Sequence, residues 1–221
     1  MNEILQPIWD SAPLIAWGTA YTIGYALLGM VFGLPVALFI TWARFEKIPV
    51  LAGLFSLFVS FMRGTPQLIQ AFLIYFGIGA MGLDPPLVVI GTLVLIVNAS
   101  AYLSETLRGA LNGITHGQWS AGLSLGLTKF QTLRYIVTPQ ALRLAIPGIS
   151  NTLIGLFKDT SVLSVITVAE LLKTINDVIS ATFKPFTFYL LAALIYWSLC
   201  LVYEYAVHRR LEARYSKPYA R

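Results

Sequence analysis

The chain has 221 residues, of which 57% are hydrophobic and only 11% are charged, and its formal net charge is +5. An ordinary water-soluble domain carries roughly 25% charged residues, so this composition excludes that class and indicates a membrane protein. The single cysteine, Cys200, excludes an intrachain disulfide and a metal cluster built on cysteine.

Five apolar segments are long enough to cross a membrane, because a spanning helix needs about 20 predominantly apolar residues. The first segment is too long for the apolar core of a signal peptide and lacks a basic start, which indicates a span of the mature protein. The sequence therefore predicts an all-α membrane protein with one transmembrane domain over residues 1–221. The predicted spans are residues 14–42, 50–78, 86–107, 141–163 and 186–207.

The second span combines a cation with a helix-breaking sequence. Arg63 lies well inside the span, where a charge is costly unless it faces protein or water. Pro66 removes a backbone donor and disfavours helical geometry at Thr65, which predicts a kink or a break. Arg63, Gln67 and Gln70 recur at helical spacing, so we expect one polar face beside the break.

Polar residues also recur in the third span and at the end of the fourth. Asn98, Tyr102 and Glu105 are spaced to share one face of the third span. Intramembrane polar residues of this kind are candidates for function. Two interpretations stay open: Arg63, Lys158 and Asp159 neutralise one another in a packing network, or the polar residues line a path for a solute. On the second interpretation, the predicted substrate contacts are Asp159, Thr160 and Ser161, with Arg63 and Asn98 as secondary candidates.

A polar, glycine-containing loop over residues 108–140 separates the third and fourth spans. Residues 118–126 within it have the pattern of a short amphipathic helix. Because a helix of about nine residues is marginal alone, something must hold it, and we interpret it as a docking element. Its expected anchors are Trp119, Leu123 and Leu125, and Gly122 and Gly126 are expected to leave room for a close-fitting partner. A second amphipathic helix is predicted over residues 165–180.

Basic residues predict the orientation, because they favour the cytoplasmic side. Most of the 15 lysines and arginines fall on one side if the N-terminus lies outside. The loop at residues 108–140 and the C-terminus are then cytoplasmic. This asymmetry accounts for the positive net charge, so nucleic-acid binding need not be invoked.

Several ordered blocks of the sequence carry a family signature. A consensus loop of EAA, three residues, glycine, nine residues, isoleucine, one residue and Leu-Pro is matched in spacing throughout residues 120–139. Its departures in identity are Ser120, Gly122 and Thr138. Further blocks lie at residues 63–77, 101–111 and 158–171. With them the chain resembles the transmembrane permease subunit of ATP-binding-cassette importers, in the polar amino-acid subfamily that includes bacterial histidine, glutamine and arginine permeases.

The resemblance implies the fold of a type I importer permease in the bacterial inner membrane, which is a pathway subunit and not an enzyme. It implies two ATPase subunits, a second permease that is identical or related, and an extracytoplasmic amino-acid-binding protein as partners, with a polar amino acid as substrate. The chain lacks the GxxxxGK[ST] loop, so we expect no cofactor here and ATP on the ATPase subunit. The implied coupling residues are Trp119, Ser120, Ala121, Gly122, Leu123 and Gly126.

Two other classes of protein compete with this interpretation. The first is a stand-alone secondary transporter or channel for a small polar solute, against which the absence of an internal sequence repeat argues. The second and weaker one is an intramembrane hydrolase, which would need a nucleophile paired with a base inside a span. No histidine lies inside a predicted span.

Overall fold

Every regular element in the described part of the chain is a helix. The computed structural model describes residues 2–210. A 3₁₀-helix at Thr160–Ile166 follows the seventh helix, and π-helical turns lie at Leu133–Val137 and Glu204–His208. The α-helices are α1 (Asn2–Phe45), α2 (Leu51–Gly64), α3 (Gln67–Ala80), α4 (Leu87–Asn112), α5 (His116–Ser124), α6 (Lys129–Thr132), α7 (Thr138–Asp159), α8 (Leu171–Thr182) and α9 (Pro185–Tyr203).

Among residues 2–210, three helices are long and apolar enough to cross a membrane, at Leu5–Phe45, Leu87–Asn112 and Pro185–Ala206. These correspond to the first, third and fifth predicted spans. The second predicted span is the pair α2 and α3, which passes the same test together but is bent by 117°. The break falls at Thr65 and Pro66, which have extended backbone angles, as the proline predicted.

The expectation of five spans is therefore confirmed only in part. The fourth predicted span, residues 141–163, lies largely on α7, which is not among the helices apolar enough to span. The physical reason is composition, because polar side chains interrupt the apolar sequence along the whole helix. They include Gln140, Arg143, Ser150, Asn151 and Thr152.

The central helix of the bundle is α4, which packs between α1 and α7. Small residues let α1 approach α4 closely. A Cβ atom added at Gly29 would lie 2.9 Å from the Cβ of Leu95, and one added at Gly33 would lie 3.0 Å from the Cβ of Ala99. Larger side chains at either glycine would push the two helices apart.

The two ends of the bundle carry different short helices. At one end, here called the loop end, Phe45 at the close of α1 meets α5. At the other, here called the far end, α8 packs against the first half of α1, where Gly18 lies beside Thr174. Since α4 runs from residue 87 to residue 112, it points toward the loop end.

The helix at the far end begins later than the sequence predicted. Residues 160–166 form a 3₁₀-helix, Thr167 is left-handed at φ 59°, and α8 starts at Leu171. Glu170 caps α8, since its carboxylate accepts the backbone N–H groups two and three residues ahead. This cap, which amphipathic spacing does not reveal, determines where the helix starts.

Glu170 also joins α8 to α9. The carboxylate is fully buried and accepts hydrogen bonds from Leu172 N at 2.9 Å, Lys173 N at 2.7 Å and the Tyr196 hydroxyl at 2.8 Å. Burial raises the pKa of Glu170 above its ordinary value of 4.5, although the three donors act in the opposite direction. A raised pKa means that the folded protein holds this proton more tightly than the unfolded chain does.

The contribution of Glu170 to stability should therefore be greatest at acidic pH. It is fully present below the unfolded pKa and is lost as pH rises through the folded pKa. We expect the melting temperature of the wild type minus that of Glu170→Gln to fall as pH rises above 4.5. Melts of both proteins across pH, with the exposed Asp177→Asn as a control, would measure it, and a difference that grows with pH would contradict it.

Candidate solute pathway and docking helix

A polar cavity of about 390 Å³ lies between α4, α7 and the break that separates α2 from α3. This volume is within the roughly 300–1,000 Å³ that is usual for small-molecule sites. Seven of its lining side chains carry a hydrogen-bonding group. The lining residues are Thr65, Gln67, Asn98, Tyr102, Asn151, Thr152, Gly155, Leu156 and Asp159.

Helical spacing explains how these side chains come together. Asn151, Gly155 and Asp159 recur every four residues and so share one face of α7, and Asn98 and Tyr102 do the same on α4. Gly155 has no side chain, and a Cβ atom added there would lie 3.8 Å from Asp159 Oδ2. The cavity is thus framed by the polar faces of two helices.

A buried amide pair holds the broken helix against α4. Gln70 is only 2% exposed, and its Nε2 donates to the carbonyl oxygens of Met62 at 2.7 Å and Thr65 at 3.0 Å. Asn98 Nδ2 donates to Gln70 Oε1 at 2.9 Å. Gln70 therefore satisfies carbonyls that the break leaves without helical partners. Asn98 contributes both to this network and to the cavity wall.

Loss of the Gln70 amide should destabilise the protein. Gln70→Leu would leave the buried carbonyl of Met62 and the partly buried carbonyl of Thr65 unpaired, and a buried group left unsatisfied costs about 1–3 kcal/mol. We expect a clearly lower melting temperature for the detergent-solubilised variant. Tryptophan fluorescence would measure the melting. Gln67→Leu is the matched control, because Gln67 Nε2 has no hydrogen-bond partner among the described residues. Equal losses in the two variants would contradict the assignment.

The structure brings together only part of the predicted substrate contacts. Asn98 and Asp159 line the cavity, whereas Thr160 and Ser161 do not. Thr160 is fully buried and donates to Phe157 O at 2.9 Å, and Ser161 donates to Lys158 O at 2.7 Å. The reason is that the helix tightens to 3₁₀ geometry at Thr160, which turns both hydroxyls back onto the preceding carbonyls.

Arg63 also lies outside the cavity lining. It contacts Glu105, with 3.4 Å between Arg63 Nη1 and Glu105 Oε2. One of the two interpretations left open by the sequence joined Arg63, Lys158 and Asp159 in a packing network. Within residues 2–210 Arg63 instead contacts Glu105, because the break after Gly64 places it beside α4 and not beside α7. The sequence did not identify the remaining polar lining residues as substrate contacts. They are Thr65, Gln67, Tyr102, Asn151 and Thr152. The helical spacing of Asn151 and Asp159 could have identified Asn151.

The short helix at the loop end is α5, which begins and ends two residues earlier than the sequence predicted. Trp119 stacks on Phe45 of α1, with ring centroids 5.9 Å apart and planes at 21°. Lys129 Nζ lies over the ring of Phe45, 5.9 Å from its centroid. The same Nζ pairs with Glu46 Oε2 at 3.1 Å. The Trp119 stack thus attaches α5, and the Lys129 contacts attach α6, to the end of the first span.

Gly122 serves packing within the chain. A Cβ atom there would lie 2.5 Å from Thr132 Cγ2 and 2.9 Å from Ile136 Cδ1. The room that the sequence assigned to a partner at this position is taken by α6 and the π-helical turn of the same chain. Gly126 differs, because it follows the end of α5 with a φ of 79° and has nothing near its Cβ position. Substitution of Gly126 would strain the backbone whatever binds nearby.

The outward side of α5 is exposed. Ser120, Ala121 and Leu123 are all exposed, and the Leu123 side chain is 52% accessible. Trp119 and Gly122 form the inward side of the same helix. The chain therefore presents a small surface, here called the α5 face and defined by Ser120, Ala121 and Leu123, on a helix held in place by the Phe45 stack.

Comparison with protein families agrees with the all-helical architecture. Residues 29–217 match the family described as binding-protein-dependent transport system inner membrane component. The L-cystine transport system permease of Bacillus subtilis is 37% identical over 221 residues, covering 97% of this chain and 92% of the relative. The glutamine transport system permease of Escherichia coli is 34% identical, covering 94% and 95%.

Solved structures of ABC transporters align with nearly the whole chain. A crystal structure of an amino acid ABC transporter with histidines aligns with a TM-score of 0.89 at 30% identity, covering 94% of this chain and 96% of that chain. An inward-facing MetNI methionine ABC transporter aligns with a TM-score of 0.66 at 21% identity, covering 95% of each chain. The second likeness concerns the fold alone.

Proposed function

The chain belongs to the family of binding-protein-dependent transport system inner membrane components, and from this premise we propose how it moves its solute. Its relatives are amino-acid ABC transporter permeases, so the chain is a membrane pathway subunit of an ABC importer for amino acids. This favours the importer over a stand-alone secondary transporter or channel. The fold is that of type I importer permeases.

The cavity between α4 and α7 is the proposed solute site, and one observation carries this proposal: Asp159 and Asn98 line the same polar cavity. An amino-acid zwitterion needs acceptors for its ammonium and donors for its carboxylate. Asp159 supplies a charged acceptor, and the amides of Asn98, Asn151 and Gln67 supply donors and further acceptors. Thr160 and Ser161 act only by shaping the helix end that holds Asp159.

We propose that α7 crosses the membrane as the fourth of five spans despite its polar residues. It packs against both α4 and α9, which are themselves candidate spans. Asn151, Thr152 and Asp159 face the cavity, and polar groups inside a membrane are tolerated when they face protein or a water-filled space. The whole chain then forms one transmembrane domain.

The α5 face is the proposed contact with the ATPase. A helix fixed to its own bundle by one side and exposed on the other can transmit a push. ATP would bind to two ATPase subunits, since this sequence lacks the GxxxxGK[ST] loop. Trp119, Gly122 and Gly126 hold α5 in place, and Ser120, Ala121 and Leu123 meet the partner.

The remaining partners and the orientation follow from the same proposal. A second permease, identical or related, completes the pathway, and an extracytoplasmic binding protein delivers the amino acid. The loop end lies in the cytoplasm, because Arg44, Lys47, Lys129 and Arg134 concentrate positive charge there. The N-terminus is then outside and the C-terminus inside.

Reconstitution tests the proposed function. The permease would be purified with candidate ATPase and binding-protein subunits, placed in proteoliposomes, and supplied with ATP on the ATPase side and a panel of labelled amino acids. We expect accumulation that requires ATP hydrolysis and the binding protein. Equal uptake by the permease without the ATPase would overturn the proposal in favour of a stand-alone carrier.

A further inference from the structure

A second cluster of charged residues lies where α1, α2 and α4 meet. Glu105 on α4 pairs with Arg44 at 2.5 Å, with Arg108 at 2.8 Å and with Arg63 at 3.4 Å. Three guanidinium groups therefore surround one carboxylate, so the cluster carries two positive charges in excess. The solute site proposed above does not use this excess.

The cluster adjoins the cavity on the side of the loop end. Asn98, Tyr102 and Glu105 share one face of α4, and the first two line the cavity. Arg63 precedes the lining residue Thr65 by two positions. Since α4 runs toward the loop end, Glu105 and its arginines lie about one turn beyond Tyr102 in that direction.

The exposure of the four side chains indicates which of them can meet a ligand. Glu105 and Arg44 are each 16% exposed, whereas Arg63 and Arg108 are 49% and 44% exposed. Both oxygens of Glu105 already accept hydrogen bonds from arginine. The carboxylate therefore has little left to offer a cation, and the open sides of the cluster are donors.

Arg63 and Arg108 retain unused donors. A guanidinium has five N–H groups, and within residues 2–210 Arg63 directs one nitrogen and Arg108 two at Glu105. Arginine is well suited to bind carboxylates through paired N–H groups. We propose that Arg63 and Arg108, oriented by Glu105, form a carboxylate-binding station for the solute between the cavity and the loop end. This inference rests on the proposed function.

Local electrostatic potential can be measured without transport. We would replace Tyr102 by cysteine in a Cys200→Ala background of the reconstituted complex. The reaction rates of an anionic and a cationic methanethiosulfonate reagent with this cysteine give a ratio that reports the field beside the cluster. Since transport is not needed, failure of the station and failure of the proposed function are distinguishable.

Removal of an arginine charge and removal of the Glu105 charge should shift the ratio of the two reaction rates in opposite directions. Arg63→Gln or Arg108→Gln removes positive charge and should lower the anionic-to-cationic ratio roughly fivefold. Glu105→Gln removes negative charge and should raise the ratio by a similar factor. Arg108→Lys keeps the charge and should keep the ratio, and so should Lys173→Gln at the far end. A shift in the same direction for Glu105→Gln and Arg108→Gln would show that these variants act by disturbing the packing and not through charge, which would overturn the proposal.

A carboxylate probe tests binding itself. Acetate should slow the anionic reagent in the background protein, acetamide should not, and Arg63→Gln with Arg108→Gln should abolish the difference. Equal effects of acetate and acetamide would overturn the proposal. The experiment is repeated in vesicles of neutral phosphatidylcholine and of anionic phosphatidylglycerol. Protection by acetate in both supports the station, whereas its loss in phosphatidylglycerol would assign the arginines to a lipid phosphate.

Discussion

Asp159→Asn should lower ATP-driven amino-acid uptake about ten- to hundredfold while leaving the complex assembled. Hydrogen bonds to a charged group contribute about 1.5–3 kcal/mol, and asparagine keeps the shape of the side chain while removing the charge. Asp159 is the only acidic residue that lines the cavity within the described residues. An ammonium group passing through the cavity would lose its charged acceptor.

Uptake and assembly should be measured on the same preparations. Initial rates in proteoliposomes give the first, and the yield of complex by size-exclusion chromatography gives the second. Asp177→Asn is the matched control, because Asp177 is an exposed acid at the far end that pairs with Lys173. If complex yield and uptake fell together in Asp159→Asn, Asp159 would act in packing and not in solute binding.

Leu123→Asp should strongly weaken capture of the ATPase. Loss of a hot-spot residue near the centre of an interface costs about 2 kcal/mol or more, so we expect roughly thirtyfold weaker binding. Leu123 is 52% exposed on the α5 face and packs on no buried cluster of its own chain among the described residues. Its replacement should therefore spare folding. The measurement is co-purification of the ATPase subunit with tagged permease.

The control for this experiment is the same substitution at the far end. Leu83 is 59% exposed in the turn before α4, so Leu83→Asp introduces the same charge at a distance from α5. It should leave ATPase capture unchanged. Normal capture by Leu123→Asp, with a normal yield of permease, would show that the α5 face is not the docking surface.

The elements that could be predicted from the sequence are those determined by local chemistry. Composition and segment length give the helical membrane class, and Pro66 gives the broken second span because its steric effect on Thr65 needs no tertiary contact. The amphipathic pattern of residues 118–126 predicted α5 to within two residues. The resemblance to the family came from the ordered sequence blocks at residues 63–77, 101–111, 120–139 and 158–171.

The details that could not be predicted depend on contacts between distant segments. The sequence does not show that Arg63 meets Glu105 on another helix, nor that Thr132 and Ile136 fill the space at Gly122. Nor does the sequence show that the hydroxyls of Thr160 and Ser161 bond to preceding carbonyls and lie outside the cavity lining, because the change to 3₁₀ geometry is too short to be visible as a pattern. Ser120 and Leu123 remain predictions as coupling residues.

The most direct measurement asks whether the solute passes through the cavity between α4 and α7. A cysteine would replace Asn151, a lining residue on α7, in a Cys200→Ala background of the full complex, and its modification by a neutral thiol reagent would be timed during turnover. We predict that the transported amino acid slows modification only when ATP and the binding protein are present. Unchanged modification while uptake proceeds normally would contradict the account.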